Sequence, residues 1–139
     1  MKTVREEREL VVDLPTQGMG TMDGVLEVLA GCGVSVQSCL QYGEFGKALL
    51  VTDDPDKAVV ALKLAGYRSR MENVVLVGVA DGDRWAGLRA GQALHTGGVK
   101  ILHSYVSKTS SGKGQAVFQT SDNRQAMQIL SSDRFQMEA

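Results

Sequence analysis

A chain of 139 residues can form one ordinary domain or two small domains of about seventy residues each. The apolar fraction of 43% argues against wholesale disorder, and the formal net charge of −1 argues against nucleic acid as a partner, because nucleic-acid-binding surfaces carry an excess of basic residues. No apolar segment approaches the roughly twenty residues that span a bilayer, and none follows the charged N-terminus as in a signal peptide, so we expect a cytoplasmic protein with no membrane partner.

The first half of the chain predicts the element order βαββαβ. A loop with two glycines, Gly18 and Gly20, separates the first strand from a helix whose apolar side chains recur at helical spacing. The second helix has a clear start, because Asp54 can cap it and Pro55 suits its first position. The predicted strands are 10–14, 34–41, 47–52 and 67–71, and the helices between them end at Gly31–Gly33 and at Gly66.

The same order of elements starts again at Val74. Setting Gly33 against Gly98 gives one register for both halves, in which each turn and helix end lies opposite its counterpart. The predicted strands are 74–80, 99–108, 115–120 and one short strand within the tail 133–139; the predicted helices are 86–96 and a helix that Ser121 caps. The pattern predicts an internal duplication, with one repeat over residues 1–72 and the other over residues 73–139.

The second half departs from the first in its first loop and first helix. In the common register Trp85 stands where the first half has a loop glycine, and Gly87 and Gly91 stand where the first half has larger apolar residues. Glycine inside a helix costs about 1 kcal/mol relative to alanine. We therefore expect another backbone to pack closely against these two glycines.

This twice-repeated plan resembles the ACT domain family of small-molecule sensors, and more narrowly the free-standing tandem ACT proteins of bacteria. The resemblance rests on Gly20-Thr21-Met22, on the apolar helix 25–29 followed by Gly33-Val34-Ser35-Val36, and on the helix start in 52–58. It covers nearly the whole chain. It implies an α+β fold of two ferredoxin-like βαββαβ repeats, whose antiparallel sheets pair into a pseudo-dimer.

The resemblance also implies an amino acid bound at the seam between the repeats, where the first loop of one repeat faces the second strand of the other. Backbone N–H groups at such a strand-to-helix junction favour a carboxylate. The implied site consists of Asp13, Leu14, Gln17, Gly18, Met19, Gly20 and Thr21 opposite His103, Ser104 and Tyr105. A second, weaker site consists of Asp81, Gly82, Asp83 and Trp85 opposite Ser38, Cys39 and Leu40.

The residues themselves leave alternatives open. The first loop can be a plain connection, and Asp13 and Asp81 can either accept a bond from a ligand ammonium group or be solvated turn residues. Trp85 can anchor an interface or fill the space beside small residues. His95 and His103 have no partner at metal-ligand spacing, so we expect no metal site, and we find no motif for a cofactor.

The sequence contains no nucleophile–base pair or acid pair whose spacing indicates catalysis. We therefore predict a non-enzymatic regulatory protein that binds an amino acid between two ACT repeats. Binding changes the conformation of the protein, and a metabolic enzyme that binds it responds to that change. The alternative is a structural interaction module that forms a homodimer, or docks on a metabolic enzyme, without a small ligand.

Overall fold

The computed structural model describes residues 3–14, 22–42, 46–79, 85–108, 114–132 and 135. The chain divides into two compact units, which we call the first unit (residues 8–72) and the second unit (residues 1–7 with 73–139). The strands are β1 (Val4–Asp13), β2 (Val36–Tyr42), β3 (Lys47–Thr52), β4 (Arg68–Val79), β5 (Ile101–Lys108) and β6 (Gly114–Thr120). The helices are α1 (Met22–Gly31), α2 (Pro55–Leu64), α3 (Ala86–Thr96) and α4 (Asn123–Leu130).

In the first unit, neighbouring strands follow the order β2-β3-β1-β4, and β3 is antiparallel to both β1 and β2. Alternate residues of a strand point to one face of the sheet. Leu10 and Val12 of β1 therefore share a face with Leu50 of β3, and they pack against Leu29 of α1 and Leu62 of α2 in a core from which water is excluded. This is the ferredoxin-like arrangement that the sequence predicts.

The second unit has the strand order β1-β4-β6-β5, in which residues 4–7 provide the outer strand beside β4. The Gly78 N–H group donates a hydrogen bond of 2.8 Å to the Thr3 carbonyl at this pairing. The predicted tail strand is wrong at Phe135, which is helical and lies 3% exposed in the core of the unit; the rest of 133–139 lies outside the described residues. The N-terminus thus supplies the strand that the sequence places in the tail.

One further boundary differs from the prediction. The two strands predicted over 67–71 and 74–80 form one continuous strand, β4, because Met71–Asn73 contains no residue that requires a turn. The division into repeats over 1–72 and 73–139 and the pairing of those repeats into a pseudo-dimer stay predictions.

Among the described residues, no helix has both the length and the apolar character that crossing a bilayer requires.

The two units repeat the same backbone irregularities, as the predicted duplication requires. Gly33 after α1 and Gly98 after α3 have φ of +74° and +81°, a left-handed conformation that favours glycine. After each glycine, the next residue donates a hydrogen bond back to a leucine carbonyl of the helix: Val34 to Leu29 at 3.0 Å, and Val99 to Leu94 at 2.9 Å. The register that aligns these glycines also aligns the bulge at Val36–Ser38 in β2 with the bulge at Ile101–His103 in β5.

The second helix of each unit starts with an aspartate cap. Asp54 accepts a hydrogen bond of 3.1 Å from the Lys57 N–H group, and Asp122 accepts one of 3.0 Å from the Gln125 N–H group. The prediction that Ser121 caps α4 is therefore wrong by one residue. The Ser121 N–H group instead donates to the Lys100 carbonyl at 2.9 Å.

Candidate ligand-binding site

The first loop has both of its ends fixed in the core of the first unit. Leu14, directly after β1, is 6% exposed, and its N–H group donates a hydrogen bond of 2.6 Å to the Gly46 carbonyl. Met22 begins α1 and belongs to the same core. The predicted ligand residues Gln17, Gly18, Met19, Gly20 and Thr21 lie outside the described residues.

Asp13, at the end of β1, forms an ion pair with Lys47, its register partner at the start of β3. The hydrogen bond from Lys47 holds the pKa of the Asp13 carboxyl below its ordinary value. The positive charges of Lys47, Arg70 and Arg68 act in the same direction, whereas burial opposes them. We call Asp13, Leu14, Gly46 and Lys47 the first-loop corner.

The first-loop corner offers both halves of an ion pair at the surface. The side chains of Asp13 and Lys47 are 44% and 36% exposed, so solvent and solutes reach both groups. A carboxylate accepts hydrogen bonds and an ammonium group donates them, so the pair matches the two charged groups of a free amino acid. Lys47, Arg70 and Arg68 all act on Asp13, and Arg70 also pairs with Glu72 at 3.1 Å.

Lys47 is the residue that sequence reasoning missed. Asp13 was selected because it opens the glycine loop, but its partner is thirty-four positions away along the chain. Lys47 lies opposite Asp13 because β1 and β3 pair in antiparallel register, but α1 and β2 separate these strands along the chain, so no local sequence pattern indicates the contact.

The three predicted residues of β5 do not point to one face of the strand. Successive side chains of a strand point to opposite faces. Ser104 lies on the same face as Val106, which contacts α3, whereas His103 and Tyr105 point the other way. Ser104 is exposed, His103 is half-buried and Tyr105 is 9% exposed. Their predicted meeting with the first loop stays a prediction.

The three β2 residues of the predicted second site also point to opposite faces of their strand. Ser38 is 1% exposed, Leu40 is half-buried, and Cys39 between them is exposed on the opposite face of β2. Trp85 is 62% exposed just before α3 and provides no side-chain cap for that helix. Asp81, Gly82 and Asp83 lie outside the described residues.

A groove of about 750 Å³ lies between α3 and β5 in the second unit; we call it the α3–β5 groove. A Cβ atom on Gly87 would lie 3.0 Å from Val106 Cγ2, and one on Gly91 would lie 3.8 Å from Ile101 Cδ1. Side chains of the sheet, rather than another backbone, therefore lie against the two glycines, and that expectation was wrong. Ser104, Leu88 and Gln92 also line the groove.

The first unit has no such pair of glycines on α1. The common register places Met22 and Leu26 at the positions of Gly87 and Gly91, and both pack on the core of the first unit. The α3–β5 groove is thus lined by two glycines at positions where the first repeat carries large apolar side chains.

Titratable side chains of the described residues include no group of three or more histidine, cysteine, aspartate or glutamate residues that can hold one metal ion. Cys32 is half-buried and Cys39 exposed, and both are free thiols.

Comparison with solved structures finds this architecture elsewhere. The chain resembles protein BT0572 from Bacteroides thetaiotaomicron with a TM-score of 0.75 and 22% identity, over 94% of this chain and 90% of that one. It resembles the ligand-free regulatory subunit of aspartate kinase from Thermus thermophilus with a TM-score of 0.62 and 15% identity, over 93% and 92%. The match to E. coli aspartokinase III, solved with lysine and aspartate, has a TM-score of 0.53 and 14% identity and covers 94% of this chain but 32% of the enzyme. No protein-family model and no curated protein sequence matches the chain.

Proposed function

Starting from the tandem ACT-type fold that this chain shares with the regulatory subunits of aspartate kinase, we propose that it is a non-catalytic regulatory protein that binds an amino acid. The observation that carries the proposal is the extent of the match. The fold agrees over 93% of this chain and 92% of the Thermus thermophilus subunit, so the shared architecture is that of a whole regulatory chain. The partner that this fold suggests is a cytoplasmic metabolic enzyme.

The first-loop corner supplies the chemistry of amino-acid recognition in this proposal. The Asp13 carboxylate is ionised at neutral pH, since its pKa lies below the ordinary value, and it accepts a hydrogen bond from the ligand ammonium group. Lys47 then donates to the ligand carboxylate, as do backbone N–H groups at the start of α1. The ligand thus exchanges one surface ion pair for two.

This exchange connects the ligand to the core of the first unit. Asp13 and Lys47 are cross-strand partners in β1 and β3, and Leu14 and Met22 hold the loop ends in the core between sheet and helices. A ligand that bridges the first-loop corner therefore shifts the conformational equilibrium of the first unit. A partner enzyme that binds one conformation more tightly responds to that shift.

Calorimetric titration of the full chain with each of the standard amino acids tests the proposal. We expect saturable binding of one or a few of them, and affinity about tenfold or more lower in Lys47→Met, because a hydrogen bond to a charged group contributes about 1.5–3 kcal/mol. The matched control is Asp56→Asn, which removes an exposed aspartate that pairs with Arg8 at 3.1 Å in the same unit, away from the corner. Absence of binding by every amino acid, from folded and ligand-free protein, contradicts the proposal.

A second candidate function, self-association, is favoured by the α3–β5 groove. Leu88 and Val106 line the groove and are 54% and 66% exposed, and Trp85 beside α3 is 62% exposed. Exposed apolar side chains clustered in one region mark interaction surfaces more often than single ones do. Because β5 is an edge strand of its unit, a second copy of the chain can add to it by antiparallel pairing.

Sedimentation velocity distinguishes the two functions. If the groove forms a homodimer, Val106→Lys shifts the protein to the monomer, whereas Leu64→Lys leaves the dimer intact, since Leu64 is 85% exposed on α2 of the first unit. A monomeric wild-type protein, or equal behaviour of the two variants, contradicts self-association through this groove.

A further inference from the structure

A second cavity, of about 340 Å³, lies between α3 and α4 of the second unit, and we call it the α3–α4 cavity. Its apolar lining residues are Ala93, Ile129 and Phe135, and its polar ones include Arg89, Thr96 and Ser132. The volume is in the range of natural small-molecule sites. All of these residues belong to the second unit, so the cavity is separate from the first-loop corner.

Local contacts fix the walls of this cavity. A Cβ atom at position 97 would collide with the Ile129 side chain, so Gly97 allows that isoleucine to lie against the end of α3. The Gln125 side-chain amide donates a hydrogen bond of 3.1 Å to the Gly97 carbonyl and holds α4 against the same point. A cavity with fixed walls loses little conformational entropy when a ligand binds.

The far wall is held by a short chain of hydrogen bonds. The Ser132 hydroxyl donates to the Ile129 carbonyl at 2.7 Å and accepts from the Phe135 N–H group at 3.3 Å. These bonds link Ser132 to α4 and to Phe135, which is 3% exposed in the core of the unit. The aromatic ring is therefore a fixed apolar surface beside the polar side of the cavity.

The positive charge of Arg89 in the cavity lining favours a ligand with a negative charge. Arg89 is the one charged side chain among the described residues that line the cavity, and no aspartate or glutamate accompanies it there. A guanidinium group has five N–H donors in a plane and pairs with a carboxylate through two of them, so it can hold a carboxylate in addition to a contact within the protein. Its described lining residues offer no acidic group to a ligand ammonium.

We propose that the α3–α4 cavity binds a small monocarboxylate with an apolar body, branched or aromatic, and without an ammonium group. The carboxylate pairs with Arg89 and accepts from the Thr96 hydroxyl, and the body lies against Ala93, Ile129 and Phe135. This ligand class differs from the zwitterion of the proposed function.

Phenylacetate is the probe, and its neutral isostere phenylacetamide is the ligand control. We expect saturable shifts of the backbone amide signals of Ala93, Ser132 and Phe135 when the ¹⁵N-labelled full chain is titrated with phenylacetate. Phenylacetamide should bind about tenfold or more weakly, because it cannot form the charged pair. Arg89→Gln should lower phenylacetate affinity by a similar factor, whereas Arg124→Gln, an exposed arginine of α4 outside the lining, should leave it unchanged.

A second variant keeps the test decisive if Arg89→Gln does not fold. Ala93→Leu retains the charge and fills the cavity, so it should abolish the shifts. Equal binding of phenylacetate and phenylacetamide, unchanged binding in Ala93→Leu, or no saturable shift in the wild type overturns the inference. The amide signals of Leu14 and Lys47 report separately on the first-loop corner, so failure at one site is distinguishable from failure at the other.

Discussion

Gly91→Ala should stabilise the protein, although the glycine is half-buried in the middle of α3, beside the sheet. The left-handed backbone conformations among the described glycines are at Gly33, Gly46, Gly66 and Gly98, so the backbone at Gly91 suits alanine. A Cβ atom there would lie 3.8 Å from Ile101 Cδ1 and 3.8 Å from Phe118 Cε1, which are ordinary contact distances. The substitution therefore adds a methyl group without strain.

The expected gain follows from two terms. Replacing glycine by alanine in a helix interior contributes about 1 kcal/mol, and burying one methyl group contributes up to about 0.8 kcal/mol. The free energy of unfolding should rise by about 1–2 kcal/mol. Urea unfolding followed by circular dichroism measures this as a midpoint higher by roughly 0.3–2 M, for slopes of about 1–3 kcal/mol per molar urea.

The control for this prediction is Gly98→Ala. A Cβ atom at this position would meet nothing within 4 Å, but the φ of +81° is strained for any residue with a Cβ atom, so the substitution should destabilise by about 1–2 kcal/mol. If Gly91→Ala leaves the midpoint unchanged or lowers it while Gly98→Ala behaves as expected, the reasoning about free space beside α3 is wrong.

Three further predictions concern pH, helix caps and the two cores. Asp13 and Asp56 have pKa values lowered by hydrogen bonds from Lys47 and Arg8 respectively, so their stabilisation is present above the unfolded pKa of about 4 and is lost as pH falls through the lower folded value. Asp13→Asn should cost less than about 1 kcal/mol at pH 7, because the pair is solvent-exposed, and the difference from wild type should vanish in urea titrations at pH 2. Asp54→Ala and Asp122→Ala should each cost about 1 kcal/mol in chemical unfolding, whereas Ser121→Ala should cost much less; a larger effect at Ser121 contradicts the cap assignment. Leu29→Ala and Leu94→Ala, both fully buried at matching positions, should each cost about 2–5 kcal/mol, and a clearly smaller loss at one of them argues against equivalent cores.

The order of elements was predictable because the signals that start and end its helices are local in sequence. Gly33 and Gly98 end α1 and α3 with a left-handed backbone conformation that few other residues adopt. Asp54 and Pro55 start α2, because the aspartate caps the helix and proline suits its first position. Each of these helix boundaries therefore depends on a few consecutive residues. Two such sets in one register were sufficient to predict the repeated order of helices and strands, except for the last strand, whose place beside β4 is taken by residues 4–7. The agreement of the bulges in β2 and β5 was not visible in the sequence, but it follows from the same register.

The errors came from long-range pairing. Residues 4–7 are mostly charged and lack the apolar alternation of a half-buried strand, so the sequence placed the first strand only from Leu10 onward. Their strand conformation is set by pairing with β4, as between Thr3 and Gly78, and no local pattern reports such a partner. The same limit hid Lys47, whose contact with Asp13 depends on the register between β1 and β3.

The candidate site was predictable only in part. Asp13 and Leu14 were selected because of the loop that follows them, and the structure adds their partners Lys47 and Gly46. The consecutive residues of β5, selected by resemblance, point to alternate faces, so one ligand cannot contact all three side chains from one side. The α3–β5 groove needed the three-dimensional contacts of Gly87 and Gly91, because the same small residues also fit a helix packed against another backbone.

The measurement that tests the central claim most directly is a ¹⁵N-edited NMR titration of the full chain with the amino acid that binds most tightly in calorimetry. The account predicts saturable shifts at the backbone amides of Asp13, Leu14 and Lys47, with the same dissociation constant as the calorimetric one. Saturable binding that leaves these three signals in place, or the absence of any amino acid that binds, would contradict a sensor built at the first-loop corner.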